Sequence, residues 1–216
     1  MRHRILAVAA AALLLAGCSL VGIRSGYEQP TYQVLETIDG QVEIRRYPLR
    51  LAAETPVGAQ DDQPARDAAF RTLFAYISGA NEAQSEIAMT APVETGASGE
   101  EITMTVPVET TAPDGGREIM RFFLPASYTA ATAPEPTDPK VRIVEIPAMT
   151  LAVLRFSGFW DEETLRARGT ELLAALDGSD WRPARTPSAL FYDPPWTLPF
   201  LRRNEVAVPV TPRGST

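Results

Sequence analysis

Two residue types that carry much of enzyme chemistry are nearly missing from this 216-residue chain, which has one histidine, His3, and one cysteine, Cys18. Residues 1–17, MRHRILAVAAAALLLAG, set Arg2 and Arg4 ahead of an apolar run too short to span a bilayer comfortably, with small residues before Cys18. This is the pattern of an export signal. With that segment removed, the chain holds no imidazole, and its single thiol stands at its first position. Ser-His-Asp and Cys-His mechanisms, zinc sites built on His or Cys, and covalent cofactor attachment through a CxxCH sequence are therefore excluded. Catalysis would fall to Asp, Glu, Tyr, Ser or Lys140, the one lysine. Glu94, Glu109 and Glu205 are the carboxylates to consider first, but no paired-carboxylate motif groups them.

The run LLLAGC at 13–18 resembles the lipobox of bacterial lipoproteins. The resemblance implies that Cys18 is diacylated and becomes the mature N-terminus, which withdraws its thiol from chemistry. Stable anchoring takes about two acyl chains, and this modification supplies them. A plain signal cut near Ala16, leaving an incidental thiol, is the alternative. Ser19, rather than Asp, after the cysteine implies sorting to the outer membrane, with the body facing the periplasm. Losing Arg2 and Arg4 leaves 18 Lys and Arg against 27 Asp and Glu, a net charge of −9. With no basic cluster to neutralise phosphates, nucleic acid is not an expected partner. The expected division is a signal over 1–17, a lipidated tether over 18–30, one domain over 31–210 and a tail over 211–216.

The elements that must position any site follow from periodicity. Residues 41–57, QVEIRRYPLRLAAETPV, read as one long strand whose alternation slips around Arg46 and Tyr47, which predicts a bulge beside Pro48. A helix follows, with Asp61 or Asp62 as cap, Pro64 in its first turn and Gly79 as terminator. Its apolar positions, Phe70, Leu73, Phe74 and Ile77, fall at i, i+3, i+4 and i+7. Next, EIAMTAPVET at 86–95 is repeated as EITMTVPVET at 101–110 with eight of ten positions identical. Both copies alternate in phase, predicting a hairpin with Met89 opposite Val106 and Ala91 opposite Met104, its prolines outward or interrupting the pairing. REIMRFFL at 117–124 is a further strand, and then the order restarts. A long strand over 141–160 carries a mid-run Pro147. A second helix has Asp161 as cap, a stripe of Leu165, Gly169, Leu172, Leu173 and Leu176, and Gly178 at its end. Strand material returns at 189–192 and 200–210. Neither half can bury its sheet alone. The expected fold is therefore α+β, with two pseudo-twofold βαββ units forming a distorted antiparallel β-barrel flanked by two helices.

Several stretches together resemble the SOUL haem-binding protein family: YISGAN at 76–81, IAMTAPV at 87–93, FFLP at 122–125, VRIVEIPAMTLAVLRFSG at 141–158 and YDPPWTLPFLRRNEV at 192–206. The similarity spans roughly residues 30–210. It implies a pseudo-symmetric barrel and binding of haem (heme) or a related tetrapyrrole in a cleft beside the first helix. Some members of the family ligate iron through a histidine and others hold the porphyrin non-covalently by hydrophobic contact, so this chain without a mature histidine belongs to the second kind or has lost the activity. A porphyrin is a flat apolar plate with two carboxylates on one edge, so it requires apolar walls and a cation at the rim. The residues that fit are Phe70 and Phe74 on the first helix, Arg66 and Arg71 for the propionates, and Trp196, Leu198 and Phe200 from the loop PPWTLPF as an opposing wall. The same Phe70 to Ile77 stripe is more often the pattern of a buried helix seam, although a seam can border both core and cleft. Met89 and Met104 are thioether candidates but also ordinary core fillers. Arg202, Arg203, Asn204 and Glu205 read as residues that fix the terminal strand through salt bridges.

The leading function is then a non-enzymatic, lipid-anchored tetrapyrrole-binding protein that buffers or carries haem. One alternative is a small-molecule-binding protein or hydrolase of the GyrI-like superfamily, which the duplicated architecture also resembles, working through Glu and Tyr. Another is an envelope interaction module with no small ligand.

Overall fold

The computed structural model describes residues 28–57, 63–97, 118–193 and 197–214. The first long run is two strands, β2 (Val42–Tyr47) and β3 (Arg50–Pro56), and the second is also two, β6 (Arg142–Ile146) and β7 (Met149–Phe156). Proline at 48 and at 147 removes a ladder donor, and the chain breaks there rather than bulging as the alternation suggested. The two runs pair with each other antiparallel in a single register. Val42 lies opposite Leu154 through to Tyr47 opposite Met149, and after the breaks Arg50 lies opposite Ile146 through to Glu54 opposite Arg142. The breaks therefore face each other, and a pseudo-twofold axis passes between them.

Each run is followed by a 15-residue helix, α1 (Gln63–Ile77) and α2 (Glu162–Leu176), and then by antiparallel strands. These are β4 (Val93–Ala97) and β5 (Glu118–Phe123) in the first half, and β8 (Trp181–Pro183), β9 (Ser188–Phe191) and β10 (Asn204–Pro212) in the second. β3 pairs with β5, β5 with β4, β4 with β9, β9 with β10 and β10 with β7. Since β7 continues from β6, which pairs with β3, the circuit closes into a distorted barrel. An outer strand, β1 (Gln33–Ile38), adds to β2, and β8 adds to β10.

The second copy of the repeat, 101–110, lies outside the described residues. The first copy departs from the hairpin reading, because its strand begins at Val93, after Pro92, and at Val93–Thr95 both edges are occupied, by β5 and by β9. Ile87 and Ala91 are buried all the same, so the alternation marked a face without marking a ladder.

Local signals set the helix ends. Asp161 Oδ1 accepts from the Thr164 amide at 2.7 Å, a side-chain cap on one of the donors a helix start leaves unpaired. Gly79 and Gly178 follow the two helices with φ of +106° and +80°, the left-handed geometry that favours glycine. The α1 face packs Leu73, Tyr76 and Ile77 on Leu51, Ala53 and Phe122, while α2 packs Leu172 and Leu176 on Val42, Ile44, Ala152 and Val208. Gly169 is buried and faces the loop before β9, where an added Cβ would meet Pro187 at 3.5 Å. Among the described residues, no helix is long and apolar enough to cross a membrane.

Candidate functional site

The stripe of α1 divides between two environments. Leu73 and Ile77 are buried at 0% and 5% exposure, whereas Phe70 is half-buried and Phe74 is 48% exposed. The two phenylalanines, one turn apart, stack with ring centroids 6.1 Å apart, and Phe70 sets its edge on Phe122 at 5.3 Å. They form the shoulder of the helix and one wall of a cavity of about 500 Å³. Met89, Ala91 and Val93 from the segment entering β4, and Met120 from β5, make its floor. Trp160, just before the α2 cap, and Phe191, on β9, close the far side, with ring centroids 4.3 Å apart. The polar rim is Gln63, Arg66, Asp67 and Asp193.

Arg66 lies where the halves meet. Its guanidinium is 3.5 Å from Glu118 and 3.9 Å from Glu162 at the start of α2. Arg71, from the same helix, is exposed and is not part of the cleft lining. Trp196 lies outside the described residues. Leu198 and Phe200 are 40% and 71% exposed and stand away from the lining. The reason is a short 3₁₀ turn, Pro199–Leu201, whose Pro199 carbonyl accepts from the Gly158 amide at 2.9 Å and carries the loop onto the end of β7.

Tyr192 also lines the cleft, but its hydroxyl is committed elsewhere. It donates to Glu205 Oε2 at 2.8 Å. Glu205 has 0% exposure and also accepts from Arg45 at 2.9 and 3.2 Å and from Arg203 at 2.9 and 2.7 Å. Burial alone would push its carboxyl up. The hydrogen bond and charge of Arg45, followed by those of Arg203, outweigh that and hold it below its ordinary range. Burial, then the Glu205 charge, pushes the Tyr192 phenol well above its usual value, so it stays a neutral donor. A carboxylate with its oxygens filled by two guanidiniums and a phenol is not a general base. Glu94 is similarly engaged, accepting from Ser188 at 3.2 Å and lying 3.6 Å from Arg121. Glu109 lies outside the described residues. Tyr76, whose phenol burial pushes up to about 12, donates to the Pro134 carbonyl, and Tyr47 stacks against Arg50. Among the described residues, no cluster of three or more His, Cys, Asp or Glu is arranged to hold a metal ion.

A family model for SOUL heme-binding protein matches residues 27–209. The chain belongs to the SOUL haem-binding family. Heme-binding protein 1 of Sus scrofa is 26% identical to it over 151 residues, 67% of this chain and 72% of the relative. The fold recurs in the C-terminal domain of EcmrR, at TM-score 0.55 and 14% identity, over 84% of this chain and 98% of that one. It recurs also in a hydrolase from Listeria innocua, at TM-score 0.53 and 11% identity, over 79% and 92% of the two chains. At those identities the structural likeness concerns the fold alone. In this SOUL chain, sequence periodicity missed Met120 on β5 and, from the other half, Trp160 and Phe191. Only the duplication itself, which sets β9 beside β4, signals the approach of Trp160 and Phe191.

The pseudo-twofold axis also generates a mate of the cleft. Beneath α2 lies a smaller cavity of about 350 Å³ lined by Leu165, Arg166, Gly169, Leu173, Pro187 and Val206 among others. Counted from the helix starts, Gly169 stands at the place of Phe70 and Leu173 at that of Phe74.

Proposed function

We propose that this SOUL chain is a lipid-anchored protein of the bacterial envelope that binds haem or a related tetrapyrrole non-covalently, as a carrier or buffer rather than an enzyme. The observation that carries the reading is the cleft along α1. Its volume of about 500 Å³ falls within the range of about 300–1,000 Å³ usual for small-molecule sites. The residues present fit the group: aromatic and aliphatic walls for the plate, and Arg66 at the rim for a propionate. Haem, when bound, would supply the iron, and the chain's own part is to hold the plate and exclude water from it. Imidazole ligation is closed to this chain, since His3 is its one histidine and lies in the proposed signal. Tyr192 is tied to Glu205. Met89 and Met120 line the cleft floor.

Titration of the leaderless chain with haem, followed by absorbance, tests the reading. A broadened Soret band without the low-spin signature of two histidine ligands is expected, unchanged in Met89→Ala. Absence of saturable binding would overturn it. The anchor has its own test, because only the Cys18 thiol can carry a thioether-linked diacylglycerol. Fatty-acid labelling in cells is expected to disappear in Cys18→Ser, and undiminished labelling of that variant would refute lipidation.

A further inference from the structure

Among the described residues, Phe74 at 48%, Phe159 at 72%, Leu198 at 40% and Phe200 at 71% exposure are large apolar side chains that stand in solvent on the cleft rim or on the surface leading away from it. Phe159, Leu198 and Phe200 belong to one stretch of surface, and Phe74 stands on the opposite wall of the cleft. Phe74 and Trp160 both line the cleft, and Phe159 precedes Trp160. The bond from the Gly158 amide to the Pro199 carbonyl sets Leu198 and Phe200 next to Phe159, and the Arg202 guanidinium lies 5.7 Å from the Phe159 ring. Apolar side chains gathered in this way, rather than scattered singly, mark an interaction surface. Aromatic rings are suited to the boundary between water and lipid.

The point where the chain enters the body identifies the partner. Glu28 forms a parallel bridge with Thr90, its carbonyl accepts from the Ala91 amide at 3.0 Å, and its side chain accepts from the Ala126 amide at 2.8 Å. Gln29 accepts from Arg203 at 3.2 Å, and the Arg203 amide donates to Asp193 at 2.6 Å. Thr90, Ala91 and Asp193 are all cleft residues. The described chain thus begins, at Glu28, against the cleft wall. The ten steps from Cys18 to Glu28 reach at most about 35 Å when fully extended.

We infer that the mouth of the cleft is docked on the lipid surface, with Phe74, Phe159, Leu198 and Phe200 seated at the interface. An apolar ligand then passes between the acyl layer and the cleft without crossing bulk water. The inference rests on the lipid-anchor part of the proposed function and not on the identity of the ligand. A short tether holds the face at high effective concentration, so modest apolar contact suffices. The mature chain, at −9, gains nothing from anionic headgroups, so the attachment is apolar and insensitive to salt.

The experiment uses the single thiol. The leaderless chain is coupled through Cys18 to a maleimide-bearing lipid in phosphatidylcholine vesicles, with or without brominated acyl chains. Tryptophan is introduced by Phe200→Trp, by Phe159→Trp, or by Leu35→Trp on the outer strand β1. The fluorescence added over the parent is expected to fall about twofold or more in brominated vesicles for positions 200 and 159, at low and high salt alike, and to stay constant for position 35. Equal quenching at all three positions, or stronger quenching at 35, would overturn the docking. Two reporter positions guard against one misfolded variant. Because the coupling is chemical, failure of native lipidation shows only in the Cys18 labelling experiment and leaves this result standing.

Discussion

Phe74→Ala is expected to weaken haem binding about five- to hundredfold while leaving the unfolding midpoint almost where it was. A ring face covered by ligand contributes on the order of 1–3 kcal/mol, which is that range in affinity. Without ligand Phe74 is 48% exposed, so its removal opens little cavity in the core. Phe70→Ala should lose affinity by a similar factor and stability as well, by about 1–3 kcal/mol, because that ring also packs edge-on against buried Phe122. Haem titration beside urea unfolding separates the two effects. If both variants bind haem as the parent does while Phe70→Ala still loses stability, the helix shoulder is core alone and the cleft is not the tetrapyrrole site.

Glu205→Gln is expected to cost about 3 kcal/mol of stability, near the lower end of the 3–5 kcal/mol typical when one partner of a buried ion pair is removed. The lower end applies because both guanidiniums keep other partners: Arg45 holds Glu43 at 2.7 Å, and Arg203 holds Gln29 at 3.2 Å. Glu43→Gln is the control. Glu43 is 38% exposed, and its loss should stay under about 1 kcal/mol. Acid should expose the same difference. The Glu205 carboxyl is held below its ordinary value of 4.5, so its contribution is fully present above that pH and is lost as pH falls from there through the folded value. The gap between parent and Glu205→Gln should therefore be constant at neutral pH and shrink below about pH 4. Unfolding curves at a series of pH values measure it. A Glu205→Gln variant as stable as Glu43→Gln would show that the cluster does not hold the barrel together.

The legible parts of the molecule were those that local chemistry decides. Asp161, Gly79 and Gly178 set helix ends through their own backbone neighbourhoods. The 3.6-residue period placed Phe70 and Phe74 on one face, although it could not say that Leu73 and Ile77 turn to the core while the phenylalanines turn to a cleft. Proline at 48 and at 147 marked an interruption, but a bulge and a break read alike until the partner strand is known, and the partner of each long run is the other run. The repeat at 86–110 misled for a related reason. Alternation reports which face is buried, and the edges of Val93–Thr95 were taken by β5 and β9 from farther along the chain. Arg203 and Glu205 could be read as an ionic pair fixing the terminal strand. Their third member, Arg45, lies 160 residues from Glu205 and carries no local signal. Leu198 and Phe200 looked like a cleft wall by composition, and a single backbone bond from Gly158 turns them outward.

The two helices have the same length and the same relation to their strands, yet the eighth place is a phenylalanine in one and a glycine in the other. Symmetry of backbone here coexists with asymmetry of purpose. The barrel needs both copies to close, so neither can be lost, but its closure depends on the ladder and the buried leucines rather than on what stands at the eighth place. That place is consequently free to diverge between the copies. A fold made of twins can keep one as frame while the other changes what it holds.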